Sequence, residues 1–383
     1  MKKKKEDTSM RYFHVALRIA CLALVSALLP SGSARAAQAG WQEEWSKTVE
    51  AAKKEGKVVV SIPASADLRK GMEESFGRRF PGIQLELFAA RGGEATRRIV
   101  DEYKAGVRYF DIHLGGTTSV VLEFLPENML DPIEPYFVLP EVKDPKNWWA
   151  GHMWIDKARK YVYGFQAYTF ANVWYNASLL KPEEVLSYDD FLNPKWTGKI
   201  GILDPRTPGA GDSTWSYLYM VKGEEFLKKL VAQKMLVDRN QRQLAEALAR
   251  GKVALTLGIT EYTFLPYLQA GLPVKPLPTP REGTYTTGGS GHLTIIKNPP
   301  HPNATKVYVN WLLGKEGQEI FSKGLGQGTR RLDVDTKWLK EVGVMAAKDF
   351  LTPEQFLARE NQSEEKVETV RKPALAISKK LFR

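Results

Sequence analysis

Residues 198–215 read GKIGILDPRTPGAGDSTW, and they hold the residue types in this chain best suited to gripping a charged small molecule. A short apolar run ends at Asp204-Pro205. Gly209, Ala210, Gly211, Asp212 and Ser213 follow just before a helical pattern begins. The first N–H groups of a helix have no intrahelical partner and carry partial positive charge, which suits an anionic oxygen. Small residues let a ligand come close to that backbone. Four further segments have the same make-up: IPASAD at 62–67, AARGGEAT at 89–96, LGGTTS at 114–119 and GITEYT at 258–263. They add Ser65, Thr117, Thr260, Glu261 and Tyr262 as candidate contacts. Arg91 and Arg206 stand at two of these strand ends, where a guanidinium could give a carboxylate or phosphate two parallel bonds. Asp212 or Glu261 could receive an amine of the same ligand. Gly, Ser, Thr and Asp before a helix are also ordinary capping chemistry. It is the recurrence of the pattern along one expected edge that points to a site.

Other chemistries find no matching pattern. His113, His152, His292 and His301 share no metal-ligand spacing, so no metal site is expected. Thr214 stands where a dinucleotide-binding loop would have its third glycine, so no nucleotide cofactor is expected. There is no G-x-S-x-G elbow, and no carboxylate pair stands out as an acid–base couple. Neither a catalytic residue nor an enzymatic activity is expected.

The elements that would position these turns alternate. Apolar runs at 57–65, 83–90, 109–116, 199–204 and 252–258 read as strands, each followed by a small-residue turn and a helical spacing such as Leu68, Met72, Phe76 and Phe80. Strands alternating with helices predict an α/β fold with mostly parallel sheets, whose ligands sit beyond the carboxyl ends of the strands. YVYGFQAYTFANVWYN at 161–176 reads as one long strand passing between two such units. The Trp148, Trp149 and Trp154 group reads as packing, and the charged tail after Asp335 as a helical layer on the outside.

The chain of 383 residues carries 55 Lys/Arg against 44 Asp/Glu. Its first residues combine a basic start, the apolar run IACLALVSALLP and the small-residue stretch SARAAQA, which is the layout of a secretory signal, with cleavage after Ala36 or Ala39. Removing residues 1–36 would take away seven Lys/Arg, two Asp/Glu and the only cysteine, Cys21, and leave a net charge of +6. That balance does not argue for nucleic acid. A periplasmic or extracellular monomer without disulfides is expected.

VWYNASLL, SYDDFLNPKWTGKIGILDP, RQLAEALARGKVAL and IIKNPPHPNATKVYVNWLLGKEGQEIFSKG together resemble the extracellular solute-binding proteins of ABC importers. The resemblance is to the type 2 group that contains the ferric-ion-binding proteins, and it spans Lys57 to Val334. It implies two lobes around a central cleft, joined by crossing strands near 170–176 and 285–292. Lobe 1 would take 37–172 and 288–332, lobe 2 would take 173–287 and 333–383, and the tail would pack on the second lobe. It also implies a small anionic or zwitterionic ligand, a phosphonate, phosphate ester or carboxylate, delivered to an ABC permease. The family's anion-holding turn falls on Pro208 to Gly211, and an asparagine before a matched helix falls on Asn240. Its metal ligands do not carry over: their positions fall on Ser65, near Gly116 and around Thr260-Glu261-Tyr262. Iron would need other tyrosines, such as Tyr175, Tyr262 and Tyr285. Enzymes resembling this group use a cysteine nucleophile, which the exported chain would lack.

Overall fold

The alternation of strand and helix read from residue 57 onward is what the chain builds. The computed structural model describes residues 31–90 and 93–382, so the signal segment up to residue 30, and Arg91, lie outside the described residues. The chain divides into Met1–Lys47 and Thr48–Arg383. In the first unit the described part is the opening of the helix Ser31–Glu55, with a Lys47–Glu43 ion pair along its surface. Among the described residues, no helix is long and apolar enough to cross a membrane.

Lys57–Pro63 (β1), Gln84–Ala90 (β2) and Ile112–Gly115 (β3) pair in parallel, with β1 in the middle. Helices Ala66–Arg79 and Glu94–Lys104 connect them. The same sheet is extended by Leu130–Asp131 (β4), Met153–Trp154 (β5) and Tyr163–Gly164 (β6). The chain then runs through Tyr168–Phe170 (β7) into Val173–Asn176 (β8) of a second sheet. That sheet adds Ile200–Leu203 (β9), Leu236–Asp238 (β10), Leu255–Leu257 (β11) and Val274–Pro276 (β12), in the order β10-β9-β11-β8-β12. Thr286–Thr287 (β13) pairs with β7 on the way back to His292–Ile296 (β14) in the first sheet. Val344–Ala346 (β15) joins the other side of β7.

Two expectations are corrected here. The sheets are mixed rather than mostly parallel: β8 and β12 run antiparallel to their partners in the second sheet, as do β14, β4, β5 and β6 in the first. A strand returned by a crossover helix comes in parallel, whereas one arriving straight from the other sheet comes in reversed. The stretch 161–176 is three short strands rather than one. Apolar pattern alone marks no break, but β6, β7 and β8 belong to three different sheets.

Aromatic and aliphatic side chains fill both sides of each sheet. Val59, Ile99, Phe110, Val120 and Phe124 form one cluster around the first sheet. Ile200, Ile202, Trp215, Leu218, Leu227 and Leu255 belong to the larger cluster around the second. The three tryptophans pack as read: Trp148 and Trp154 meet the ring of Tyr163 edge-on, and Trp149 meets Phe356. Two histidines lie within the strands of the first sheet. His113 on β3 has Nδ1 3.1 Å from Ser61 Oγ, and His292 on β14 donates Nδ1–H to Gly115 O at 3.1 Å. Glycines make room for both rings: a Cβ on Gly115 would lie 2.6 Å from His113 Nε2, and one on Gly288 would lie 2.6 Å from His292 Nε2. Burial pulls both imidazoles down to about 4.

Candidate functional site

The five strand ends chosen from sequence each lead into a helical element, beginning at Ala66, Glu94, Thr117, Ala210 and Glu261. Since β2, β1 and β3 are parallel, their carboxyl ends share one edge; β10, β9 and β11 share another. The glycines of the opening motif are explained first by packing. A Cβ on Gly211 would lie 2.4 Å from Leu203 O, and one on Gly258 would lie 2.9 Å from Gly211 Cα. Gly258 also has φ +73°, where side chains are strained. The start of the helix Ala210–Ala232 is thus pressed backbone-to-backbone onto the ends of β9 and β11. Gly211→Ala should cost about 3 kcal/mol, at the upper end of overpacking effects, because backbone atoms cannot step aside as a side chain can. Urea unfolding at pH 7 measures this, and a loss below about 0.5 kcal/mol would show the contact to be yielding.

The two edges meet at the next residues. Thr118 Oγ1 donates to Asp212 Oδ2 at 3.5 Å, linking the helix start after β3 to the one after β9. Asp212 is fully buried, and its Oδ1 accepts from Ser216 Oγ at 3.2 Å. Burial, only partly offset by a guanidinium, pushes its carboxyl up. That guanidinium is Arg371, from the C-terminal segment. Its Nη1 donates to Thr118 Oγ1 and its Nη2 to Ser213 Oγ, while Nε stands 3.8 Å from Asp212 Oδ2, ion-pair range but too long for a hydrogen bond. Asn361 donates to Ser213 O at 2.9 Å. Gln362 Oε1 accepts from Gly288 N at 2.6 Å and from Thr287 Oγ1 at 2.8 Å.

Beside this lies a group of buried polar side chains. Glu261 is 2% exposed, and its Oε2 has no hydrogen-bond partner. Burial holds its carboxyl up at about 8. Burial likewise raises the phenols of Tyr168 and Tyr285, and the charge of Glu261 bears on both. Arg371 and Asp212 also bear on Tyr285, which ties the two groups of residues into one region. Tyr262, 43% exposed, acts on Tyr168 from the outside. Thr117 Oγ1, Thr214 Oγ1, Asn361 Oδ1 and Arg371 Nε are also among the buried polar atoms without a hydrogen-bond partner.

Several sequence candidates do other work. Arg206 reaches back to its own strand end, Nε to Asp204 Oδ1 and Nη2 to Asp204 Oδ2, both at 2.9 Å, and its Nη1 donates to Phe382 O. It ties the C-terminal helix to β9 and is not free to clamp a ligand. Ser65 caps the helix Ala66–Arg79 by accepting from Leu68 N, and it donates to Gly324 O at 2.7 Å. Asn240 is an exposed cap whose Oδ1 accepts from Arg242 N. Thr260 is satisfied by Gln241 Oε1 through both its N–H and its hydroxyl. Gly209 caps the helix at Ala210, and its carbonyl accepts from Ser213 N and Oγ. Tyr175 sits in mid-β8, opposite Leu255 and Lys275. Sequence reasoning missed Thr118, Tyr168, Asn361, Gln362 and Arg371. The tail offered only an ordinary charged helical pattern, with no turn motif to mark Arg371.

Part of the tail also reaches the first sheet: Glu364 N donates to Ile155 O at 2.9 Å and Lys157 pairs with Glu368, next to β5. Beyond Arg371 the helix Lys372–Leu381 packs on Ala210–Ala232, with Trp215 Nε1 donating to Ala374 O at 2.9 Å.

Two mixed sheets are thus joined by crossing strands, and helix starts from both meet at Thr118, Asp212 and Ser213. Residues 148–324 match the family model described as bacterial extracellular solute-binding protein. The fold is similar to that of iron-bound HitA from Pseudomonas aeruginosa, with TM-score 0.64 and 17% identity, over 85% of this chain and 99% of the other. It is similar to AfuA from Actinobacillus pleuropneumoniae, solved with fructose-6-phosphate, with TM-score 0.61 and 18% identity over 85% and 99%. Trichodesmium IdiA (FutA), solved with iron and citrate, gives TM-score 0.60 and 19% identity over 85% and 99%. The chain has the type 2 periplasmic-binding fold and resembles the extracellular solute-binding proteins, as the four sequence stretches implied.

Proposed function

We propose that the protein captures a small anionic or zwitterionic solute in the crevice between its two main sheets and hands it, unchanged, to an ABC permease in the membrane. The carrying observation is the set of buried polar atoms left without partners there: Thr117 Oγ1, Glu261 Oε2, Asn361 Oδ1 and Arg371 Nε. Leaving such an atom unmet costs about 1–3 kcal/mol, a cost a polar ligand removes. The groups come from both sides of the crevice, so a ligand touching all of them favours the closed arrangement by its differential affinity. In this reading residues 37–172 with 288–332, and 173–287 with 333–383, act as the two lobes of an exported monomer. The 209–213 turn, Thr117, Glu261 and Tyr285 face the ligand, whereas Arg206, Ser65, Asn240 and Thr260 hold the framework.

Purified protein screened by melting against inorganic phosphate, fructose 6-phosphate and citrate tests this. A ligand at a hundred times its Kd adds ~2.7 kcal/mol of stability. No shift with any of the three, together with no small molecule in native mass spectra of freshly purified protein, would end the capture reading. A second reading rests on the phenols around Glu261. Tyr168, Tyr262 and Tyr285 with one carboxylate are oxygen donors of the kind ferric iron takes. A visible phenolate-to-iron band on adding ferric citrate would favour iron, and a colourless protein would favour the organic anion.

A further inference from the structure

We propose that Arg371, carried by the C-terminal segment, is a ligand-binding residue, and that it receives a phosphoryl or phosphonate group. This rests on the capture reading. The guanidinium is 3% exposed and lies where the helix starts at Thr117 and Ala210 come together. A buried cation is normally matched by a carboxylate at hydrogen-bond distance. Arg371 is not: its two bonded acceptors are the neutral hydroxyls of Thr118 and Ser213, its Nε is unbonded, and Asp212 stands off at 3.8 Å. Hydroxyls rotate at little cost and both donate and accept. An arriving oxyanion can therefore take the guanidinium fork and draw the two hydroxyl protons away from Asp212 Oδ2 and Gly209 O, with the unpartnered Thr117 hydroxyl as a third donor.

The donors favour a tetrahedral oxyanion. Three guanidinium N–H directions, three hydroxyls and the first N–H groups of the helix at Ala210 exceed what the two oxygens of a carboxylate can accept. A phosphoryl or phosphonate group, with three terminal oxygens, can use them. Asn361 Oδ1 and Glu261 Oε2 are left without donors in the same region, so hydroxyl or amino groups belong on the rest of the molecule.

The test is calorimetric titration of wild type, Arg371→Gln, Arg371→Lys and Glu368→Ala with inorganic phosphate, fructose 6-phosphate and citrate. Gln keeps donors for the two hydroxyls but removes the charge. Phosphoryl affinity should fall at least 100-fold in Arg371→Gln and about tenfold in Arg371→Lys, with little change in unliganded melting. Glu368→Ala loosens the same tail at its exposed tie to Lys157 and should leave affinity within threefold. Unchanged affinity in Arg371→Gln would overturn the assignment while leaving capture intact. Equal losses in Arg371→Gln and Glu368→Ala would reduce Arg371 to a fastening of the tail. Binding of citrate alone would overturn the phosphoryl class, and a wild type that binds none of the three would remove capture and assignment together.

Discussion

Glu261→Gln is expected to make the unliganded protein more stable by about 5 kcal/mol at pH 9 and to leave its stability nearly unchanged at pH 4.5. The Glu261 carboxyl is raised from 4.5 to about 8, chiefly by burial. In the unfolded chain it ionises near its ordinary value, so between these limits the folded state holds the extra proton. Stability then falls as pH rises, by about 1.4 kcal/mol per unit, and the full penalty is present above the folded value. Glutamine has the same shape and never ionises, so it escapes the penalty. Urea unfolding of both proteins at pH 4.5 and pH 9 measures the difference. A gap of the same size at both pH values would mean that Glu261 is already ionised and matched in the folded state. A ligand bearing an amine should bind the Gln variant more weakly, because the carboxylate it would pair with is gone.

The same variant exposes a second, opposite titration. His113 and His292 are lowered from 6.5 to about 4 by burial. Here the unfolded chain takes up protons first as pH falls, so the stability present above the unfolded value is lost between pH 6.5 and pH 4. Each ring contributes about 3 kcal/mol to that loss. In the wild type the loss is partly offset, since Glu261 relieves its own penalty over the same interval. In Glu261→Gln the offset is gone, and going from pH 7 to pH 4 should remove on the order of 6 kcal/mol. The two imidazole resonances should keep neutral-ring shifts down to pH 5. Rings that titrate near 6.5 would show that water reaches them and would remove the acid effect.

Local pattern was enough to read the fold where one segment's own residues decide its shape. The strand at 57–63 and the helix after Ser65 follow from apolar period and cap, and both formed where expected. The long strand at 161–176 failed because partner exchange between sheets leaves no mark on hydrophobic spacing. Among the candidates, the turn at 209–213, Thr117 and Glu261 were chosen as small or polar residues at strand ends, and the structure places each at the start of a helical element. The role of Arg206 was not legible: a guanidinium beside a carboxylate two residues away folds back onto it, and composition cannot tell that from a free arm. Arg371 was hidden for another reason. Its partners lie far away in the chain, and only the path of the tail brings them together.

That distance has a consequence for how the protein comes into being. Arg371 is 253 residues from Thr118 and 158 from Ser213. A ribosome makes the chain from its first residue onward, so the contacts of Thr118 and Ser213 with Arg371 stay unmade until residue 371 has been added. Closing so long a loop is also among the slower events of folding. A nascent or truncated chain ending before residue 371 would own both sheets and, on the capture proposal, would lack the guanidinium that grips the ligand.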